Sequence, residues 1–426
     1  MKVVRSLWYL KRKSVLESSS LINNDPAPSP CIQSLSNSLV PRIAKQPFSS
    51  VDRRCSQRKC NQRIMFHPRL RCARMNYPQI AMRIAHTTSI YIPVPPKTHG
   101  GTEMIVHALC EGLTQRGEDV HLYASGDSQI NGTLHSVIDH ATLNAPGMTT
   151  YMDKELEARS VFELYQHSSD YDIIHCHWPT LAPYFAADSA TPTVITYHYV
   201  DRAEHEYYRS NIPKLYPVCV SHRQAELLGE PDLPVVYNGL DMAATPFVEH
   251  PDDYLVIVGR IIPTKGIAEA ISIARKAGMR LHIIGDTIDY IPWARAYFAE
   301  KVRPFIDNDR ITYTTEMPNA EVLNLVSHAK GFLFPLQGEE PFGMAVLEAM
   351  ATGTPVIAMP RGSMPELIAH GISGYLVDTE GDAVSAIANL NSLDRHAVRA
   401  HVEGRFTHQR MVDAYQAVYE SVLRSQ

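Results

Sequence analysis

Glu340 and Glu348 lie eight positions apart in "EEPFGMAVLEAM", separated by a Pro-Phe-Gly turn and the start of an apolar helical run. Glu340 falls on a loop and Glu348 about two turns into the following helix, so the two acids have different supports and different jobs. An ionised carboxylate takes O–H donors on both oxygens, which suits the vicinal hydroxyls of a ribose or hexose. Upstream, "VGRIIPTKG" sets Arg260 and Lys265 around a short loop, and two cations there suit a diphosphate. In "PVPPKTHGGTE", Gly100 and Gly101 open a helix whose backbone N–H groups and positive end can face an anion.

Each motif also has a plainer reading. Glu340 and Glu103 are acids that favour a helix start, Arg260 and Lys265 a solvated pair, and Gly-Gly a tight turn. For Glu348 the solvated reading is weakened by its neighbours Val346, Leu347, Ala349 and Met350. His175, His177 and His198 fall at strand ends. The chain has 20 scattered histidines, so hydrogen-bonded strand-end residues are expected in place of metal ligands. Neither the G-x-G-x-x-G dinucleotide fingerprint nor a G-x-x-x-x-G-K-[ST] loop occurs.

These residues need elements to position them. From Met82, apolar β-rich runs alternate with helical patterns: "MRIAHTTS", "DVHLYASG", "YDIIHCHW", "TVITYHYV", "LYPVCVS" and "PVVYNG" read as strands. "TEMIVHALCEGLTQRG" reads as an amphipathic helix with a glycine cap. After Asp241 the alternation restarts with "DYLVIVGR", "RLHIIGD", "ITYTTEM", "KGFLFPL", "TPVIAMP" and "GYLVDT". Helices "KGIAEAISIARKAG", "NAEVLNLVSHA" and "FGMAVLEAMATG" lie between them, and "HQRMVDAYQAVYESVL" ends the chain as a helix. Two batches of six strands predict two doubly wound α/β domains, with a (β/α)8 barrel as the alternative. Ligands of such sheets bind beyond the carboxyl ends of the strands, and two facing domains make a cleft.

At 426 residues the chain is long enough for two cores, and a net charge of −5 carries no overall footprint for nucleic acid. Residues 1 to 81 depart from that average, with three acids against fifteen Lys and Arg and a Ser-, Asn- and Pro-rich composition. The stretch reads as a disordered basic extension, an organelle-targeting segment, or sequence upstream of a true start at Met82. Cys55, Cys60, His67 and Cys72 lack the C-x-x-C spacing of a zinc site. No apolar run is long enough to span a membrane, and the odd cysteine number beyond residue 81 suggests buried thiols in a reducing, cytoplasmic setting.

The sequence resembles the family 4 retaining glycosyltransferases. "EPFGMAVLEAM" matches their E-x(7)-E signature, and "GR", "P.KG", "VSHRQAEL" and "YNGLD" match further landmarks. "IPVPPKTHGGTE" and "RGEDVHLYASGDS" look like a bacterial subgroup that includes an antibiotic-oligosaccharide transferase. The resemblance implies a GT-B fold: an acceptor domain over 82–241, a donor domain over 242–405 and a terminal helix over 406–426, two Rossmann-like domains facing a cleft.

It also implies roles. Arg260 and Lys265 would neutralise the donor diphosphate, Glu348 would bind the nucleotide ribose, and Glu340 a sugar hydroxyl beside the reacting carbon. Gly343 and Met344, next to Phe342, would supply backbone N–H groups, and Gly100 and Gly101 a loop amide to the β-phosphate. His198 fits the family's T-x-H position, near the reacting sugar and acceptor, and would be catalytic together with Glu340, with Glu103 and His177 on the acceptor side. The expected activity is metal-independent transfer of a hexose from a UDP or GDP sugar to a saccharide or small molecule, with no cofactor. An epimerase, a phosphorylase or a non-catalytic nucleotide-sugar binder are the alternatives.

Overall fold

A computed structural model describes residues 81 to 426, apart from His99, Asn144, Asp289 and Tyr290. The expectations for the basic stretch, including the Cys55, Cys60, His67 and Cys72 group, lie outside the described residues.

Runs of Val, Ile and Leu buried on both faces belong in parallel sheets covered by helices. Leu255, Val256 and Ile257 are fully buried in this way. The first sheet contains β1 (Arg83–Thr87), β2 (Asp119–Tyr123), β3 (Thr133–His135), β4 (Ile173–Cys176), β5 (Thr193–Thr196) and β6 (Leu215–Val218). The second contains β7 (Tyr254–Val258), β8 (Arg280–Ile284), β9 (Ile311–Thr314), β10 (Gly331–Phe334), β11 (Val356–Ala358) and β12 (Gly374–Leu376). All pairings are parallel. The orders are β3-β2-β1-β4-β5-β6 and β12-β11-β10-β7-β8-β9. Read from opposite edges they are the same doubly wound topology, which excludes the barrel. Each sheet reverses its winding once, between β1 and β4 and between β7 and β10, and that switch point is where such a fold opens a crevice.

Two strand expectations are corrected. "PVVYNG" (234–239) adds no strand to the sheet; its pairing is an isolated bridge between Cys219 and Val235. A Cβ on Gly239 would lie 2.3 Å from the carbonyl oxygen of Thr407, so the chain there is already leaving the sheet. The sixth strand is Thr133–His135, three residues that are too short to show a period.

The helices that bear on the site are α1 (Gly101–Gln115), α2 (His222–Leu228), α3 (Ile267–Ala277), α4 (Asn319–His328), α5 (Met344–Ala351) and α6 (His408–Arg424). The chain passes between the two sheets near residue 240 and returns near 407. At that crossing Leu240 N–H donates to Phe406 O at 2.9 Å and His408 N–H to Leu240 O at 3.0 Å. Helix α6 therefore packs on the first sheet, with Met411, Val412, Tyr415 and Tyr419 inside the core formed by α1. Gly112 of α1 admits it: a Cβ there would come within 2.5 Å of Val412. Among the described residues no helix is long and apolar enough to cross a membrane.

Candidate functional site

The second sheet opens its switch point between β7 and β10, and the two exit loops are fastened together there. Lys265 pairs with Glu340, and both side chains are largely buried. Backbone N–H groups of Gln337 and Gly338 donate to Thr264 O at 2.9 and 3.2 Å. Gly266, at φ 73°, allows the approach, because a Cβ would meet Pro335 O at 1.9 Å. Arg260 is exposed at the end of β7. A groove of about 560 Å³ lined by Asp252, Tyr254, Met317, Asn324 and His328 lies at the start of β7, the end of the strand remote from these loops.

Glu340 is gripped on its backbone as well as its side chain. Ser363 N–H donates to Glu340 O at 3.0 Å, and a Cβ on Gly362 would strike the Glu340 backbone at 2.3 to 2.4 Å. Gly343, at φ 95°, then caps α5, whose first N–H groups lack intrahelical acceptors. Phe342 is buried against Tyr237 and Phe406 with ring centroids 6.1 and 6.3 Å apart, so its side chain anchors the turn from behind. Glu348 lies further along α5 in an apolar setting. Burial pushes its carboxyl from the usual 4.5 up to about 7, against a smaller lowering by a hydrogen bond from Asn319 at the start of α4.

Two helix starts meet across the site. A Cβ on Gly101, the first residue of α1, would lie 3.6 Å from the Met344 side chain, the first residue of α5. Both positive helix ends therefore border one space. Gly100, at φ 152°, opens α1, and a Cβ there would lie 2.9 Å from Glu103 Oε2 and from Pro96. Glu103 is itself buried; burial raises its carboxyl, offset in part by its own backbone and by Ser89. It supports the Gly100 turn from inside.

Histidines fill the switch point of the first sheet. His86 in β1 pairs in register with His175 in β4, and His177 follows β4 directly. His86 Nδ1 is hydrogen-bonded to His177 Nε2 at 3.2 Å, and His177 Nδ1 to His198 Nε2 at 3.4 Å. His175 is held apart from this chain by Tyr419 at 2.6 Å and Thr196 at 2.8 Å. Burial holds His86 at about 3 and His198 at about 4, and His175 and His177 well below the ordinary value, so these rings are neutral.

Ring nitrogens of His86, His175 and His177 lie within 4.8 Å of one another, which is a metal-like spacing. Both nitrogens of His175 and of His177 are already engaged, leaving one on His86, so an ion held by one nitrogen of each ring would have to displace two existing hydrogen bonds.

A clasp joins the two halves. Ser221 Oγ caps α2 by accepting from Gln224 N at 3.1 Å and donates to Pro341 O at 2.6 Å, beside Glu340. Glu366 accepts the first-turn N–H groups of His222 and Arg223 at 2.9 and 2.8 Å and the Tyr237 hydroxyl at 2.9 Å. Arg223 forks onto Glu339 at 3.0 and 3.2 Å, and Gly362 N–H donates to the same carboxylate at 2.8 Å. Arg223, followed by Gly362 N–H, holds the Glu339 carboxyl below its usual range against a desolvation cost. The fully buried Gln224 donates to Tyr197 O at 3.0 Å and Tyr199 O at 2.9 Å, gripping the backbone on either side of His198.

The expected residues therefore gather at two facing switch points: Arg260, Lys265, Glu340, Gly343 and Met344 on one side, Gly100, Gly101, His177 and His198 on the other. Asn319, Gln224, Arg223 and Glu366 were not anticipated. Their residue types are ordinary for a surface, and the partners that tie them to the site lie 25 or more positions away.

Comparison with known proteins agrees with this geometry. Residues 99–244 match the Glycosyltransferase Family 4 model, and residues 244–401 match Glycosyl transferases group 1. The chain is 24% identical over 369 residues to N-acetyl-alpha-D-glucosaminyl L-malate synthase of Bacillus anthracis, covering 76% of this chain and 95% of that protein. AviGT4, a glycosyltransferase involved in avilamycin A biosynthesis, superposes with a TM-score of 0.62 at 22% identity, over 81% of this chain and 99% of that one. Anabaena HepE, crystallised with UDP and glucose, superposes with a TM-score of 0.62 at 16% identity, over 80% and 100%. With a family model matching each half and the doubly wound pair of sheets that GT-B enzymes share, the chain belongs to the family 4 glycosyltransferases.

Proposed function

We propose that this glycosyltransferase moves a hexose from a UDP- or GDP-type sugar to a hydroxyl of a saccharide or small-molecule acceptor, with retention at the anomeric carbon and without a metal. The observation that carries the reading is the Lys265–Glu340 pair at the β7/β10 switch point, beside the start of α5. Lys265 and Arg260 take the diphosphate, and the N–H groups at Gly343 and Met344 with the start of α1 at Gly101 add fixed positive dipoles. Glu340 accepts a sugar hydroxyl, and Glu348 accepts the ribose hydroxyls.

As the bond from the anomeric carbon to the diphosphate oxygen breaks, negative charge builds on that oxygen, where preorganised cations and amides are most effective. Among the described residues Glu340 is paired with Lys265 and with no second carboxylate, unlike the paired acids of retaining glycosidases. The acceptor oxygen therefore attacks from the face the diphosphate leaves, and its proton passes to the departing phosphate oxygen. The metal's usual work falls to Arg260, Lys265 and the helix ends, in keeping with the engaged nitrogens of the histidine group.

The test is thermal unfolding with UDP, GDP, ADP, dTDP and NAD, for the unmodified protein and Glu348→Ala, with EDTA present. At about 100 times its dissociation constant a ligand stabilises by ~2.7 kcal/mol. Stabilisation by one nucleoside diphosphate, lost in Glu348→Ala, supports the reading; stabilisation by NAD alone overturns it. The anomeric configuration of the product, read by proton NMR, decides retention.

A further inference from the structure

His86, His177 and His198 form a chain of imidazoles from the buried first strand to the site. His86 and His177 are fully buried, while His198 at the far end is partly exposed. A neutral imidazole carries one N–H and one bare nitrogen, so a chain of them has two self-consistent directions. In one, His86 Nδ1–H donates to His177 Nε2 and His177 Nδ1–H donates to His198 Nε2. His198 then bears its proton on Nδ1. In the other, every proton moves across its ring, and His198 donates from Nε2 inward.

The inner end decides between them. His86 Nε2 is buried and has no hydrogen-bond partner among the described residues. In the second direction it is a buried N–H without an acceptor, whereas in the first it is a bare nitrogen. Orphaned buried N–H groups are rarer than under-used acceptors in folded proteins. Burial lowers the pKa of all three rings and so disfavours the charged form that would let both nitrogens donate.

We propose that His86 and His177 are positioning residues that hold His198 in its Nδ1–H tautomer, so that it meets substrate as a hydrogen-bond donor and is barred from acting as a base. Its bare Nε2 is occupied by the His177 proton. The groups such a donor serves are oxygens, either a sugar or acceptor hydroxyl oxygen or an oxygen of the departing phosphate. The inference rests on the proposed placement of His198 beside the donor sugar. It assigns the acceptor's proton to the phosphate, since His198 has no free lone pair to take it.

The experiment is a two-bond 1H–15N correlation spectrum of the full chain labelled with 15N-histidine and free of substrate. The His198 signals are identified by their loss in His198→Gln. Free histidine in water favours the Nε2–H form, so a protonated Nδ1 at His198 is diagnostic. The expected result is Nδ1–H in the unmodified protein, with Nε2–H signal appearing in His177→Phe and His86→Leu. Nε2–H in the unmodified protein overturns the proposal whether or not either variant folds. An unchanged His198 spectrum in folded variants overturns the positioning roles. Stoichiometric zinc in the purified protein also overturns it, because the ion would take the nitrogens that the chain uses. Tautomer is read without turnover, so a failure of the transfer reading shows separately, as no transfer from any sugar nucleotide.

Discussion

Lys265 and Glu340, 75 positions apart in sequence, form an ion pair that closes the β7/β10 switch point. Each neutralises the other in the same place where a diphosphate and a sugar hydroxyl are proposed to bind, so a donor must loosen the pair to enter. Removing either charge therefore has opposite consequences for binding. Lys265→Met loses a charge-assisted contact to phosphate worth ~1.5–3 kcal/mol, about 10- to 100-fold in nucleoside diphosphate affinity. Glu340→Gln frees Lys265, and the same calorimetric titration shows affinity equal to or tighter than the unmodified protein. Its turnover falls by about 10²–10³, the usual loss when one preorganised polar contact to the reacting group is removed. Weaker nucleotide binding in Glu340→Gln would refute the competition.

Glu348 gives the site a pH dependence of known sign. Its folded value of about 7 lies above the usual 4.5, so between those values the folded protein binds more protons than the unfolded chain. Stability from this group is present below that window and is lost as pH rises through about 7. Glu348→Gln should match the unmodified protein in melting temperature near pH 5 and exceed it near pH 8. Nucleotide affinity runs the other way, because only the carboxylate accepts both ribose hydroxyls. Titrations across pH 5.5 to 8 should show affinity falling as pH drops below about 7, and a flat profile for the variant.

Gln224 touches neither proposed ligand yet grips both carbonyls that flank His198. Replacing it with Leu removes those two hydrogen bonds and a third, accepted from Val220 N–H at 2.7 Å, and costs ~1–3 kcal/mol of stability. Because those bonds hold the first half, nucleoside diphosphate binding on the second half should be unchanged. Turnover should fall with the shifted His198, by up to about 10²-fold for a displacement near 1 Å. Equal losses in nucleotide affinity and turnover would show a general loosening and argue against a local role.

Buried β-branched runs reveal strands from sequence, and doubly wound sheets place ligands where those strands exit. That is why Lys265 and Glu340 could be expected at strand exits from the sequence, whereas His177 and His198 read only as hydrogen-bonded strand-end residues and took their proposed roles from the family resemblance. Glu340 and Glu348 were legible further, because a Pro-Phe-Gly turn ahead of an apolar helix fixes both supports within ten residues. The same reasoning missed Thr133–His135, where three residues carry no period, and over-read 234–239, where Gly239 is committed to contact Thr407. His86 was hidden inside its strand, since nothing local says that a histidine there meets one 91 positions away. Gln224, Glu366 and Asn319 escaped for the same reason: their meaning lies wholly in partners that the fold supplies.

The clasp between the halves separates stability from positioning. Glu366 accepts two N–H groups of the first turn of α2, so it acts as that helix's cap from across the molecule. Glu366→Ala should cost ~1–2 kcal/mol, as loss of an N-cap does, and lower the melting temperature measurably. Arg223 and Glu339 differ, with side chains 40% and 41% exposed, where an ion pair contributes at most ~1 kcal/mol. Glu339 nevertheless adjoins Glu340 and accepts from Gly362, whose backbone packs directly on Glu340. Arg223→Ala should therefore leave the melting temperature nearly unchanged while lowering turnover about 10-fold. Raised salt should move the unmodified protein toward the variant's rate, because this pair is the screened part of the clasp. A large loss of stability in Arg223→Ala, or full turnover without the pair, would place the grip on the Glu340 loop in Ser221 and Gly362 alone.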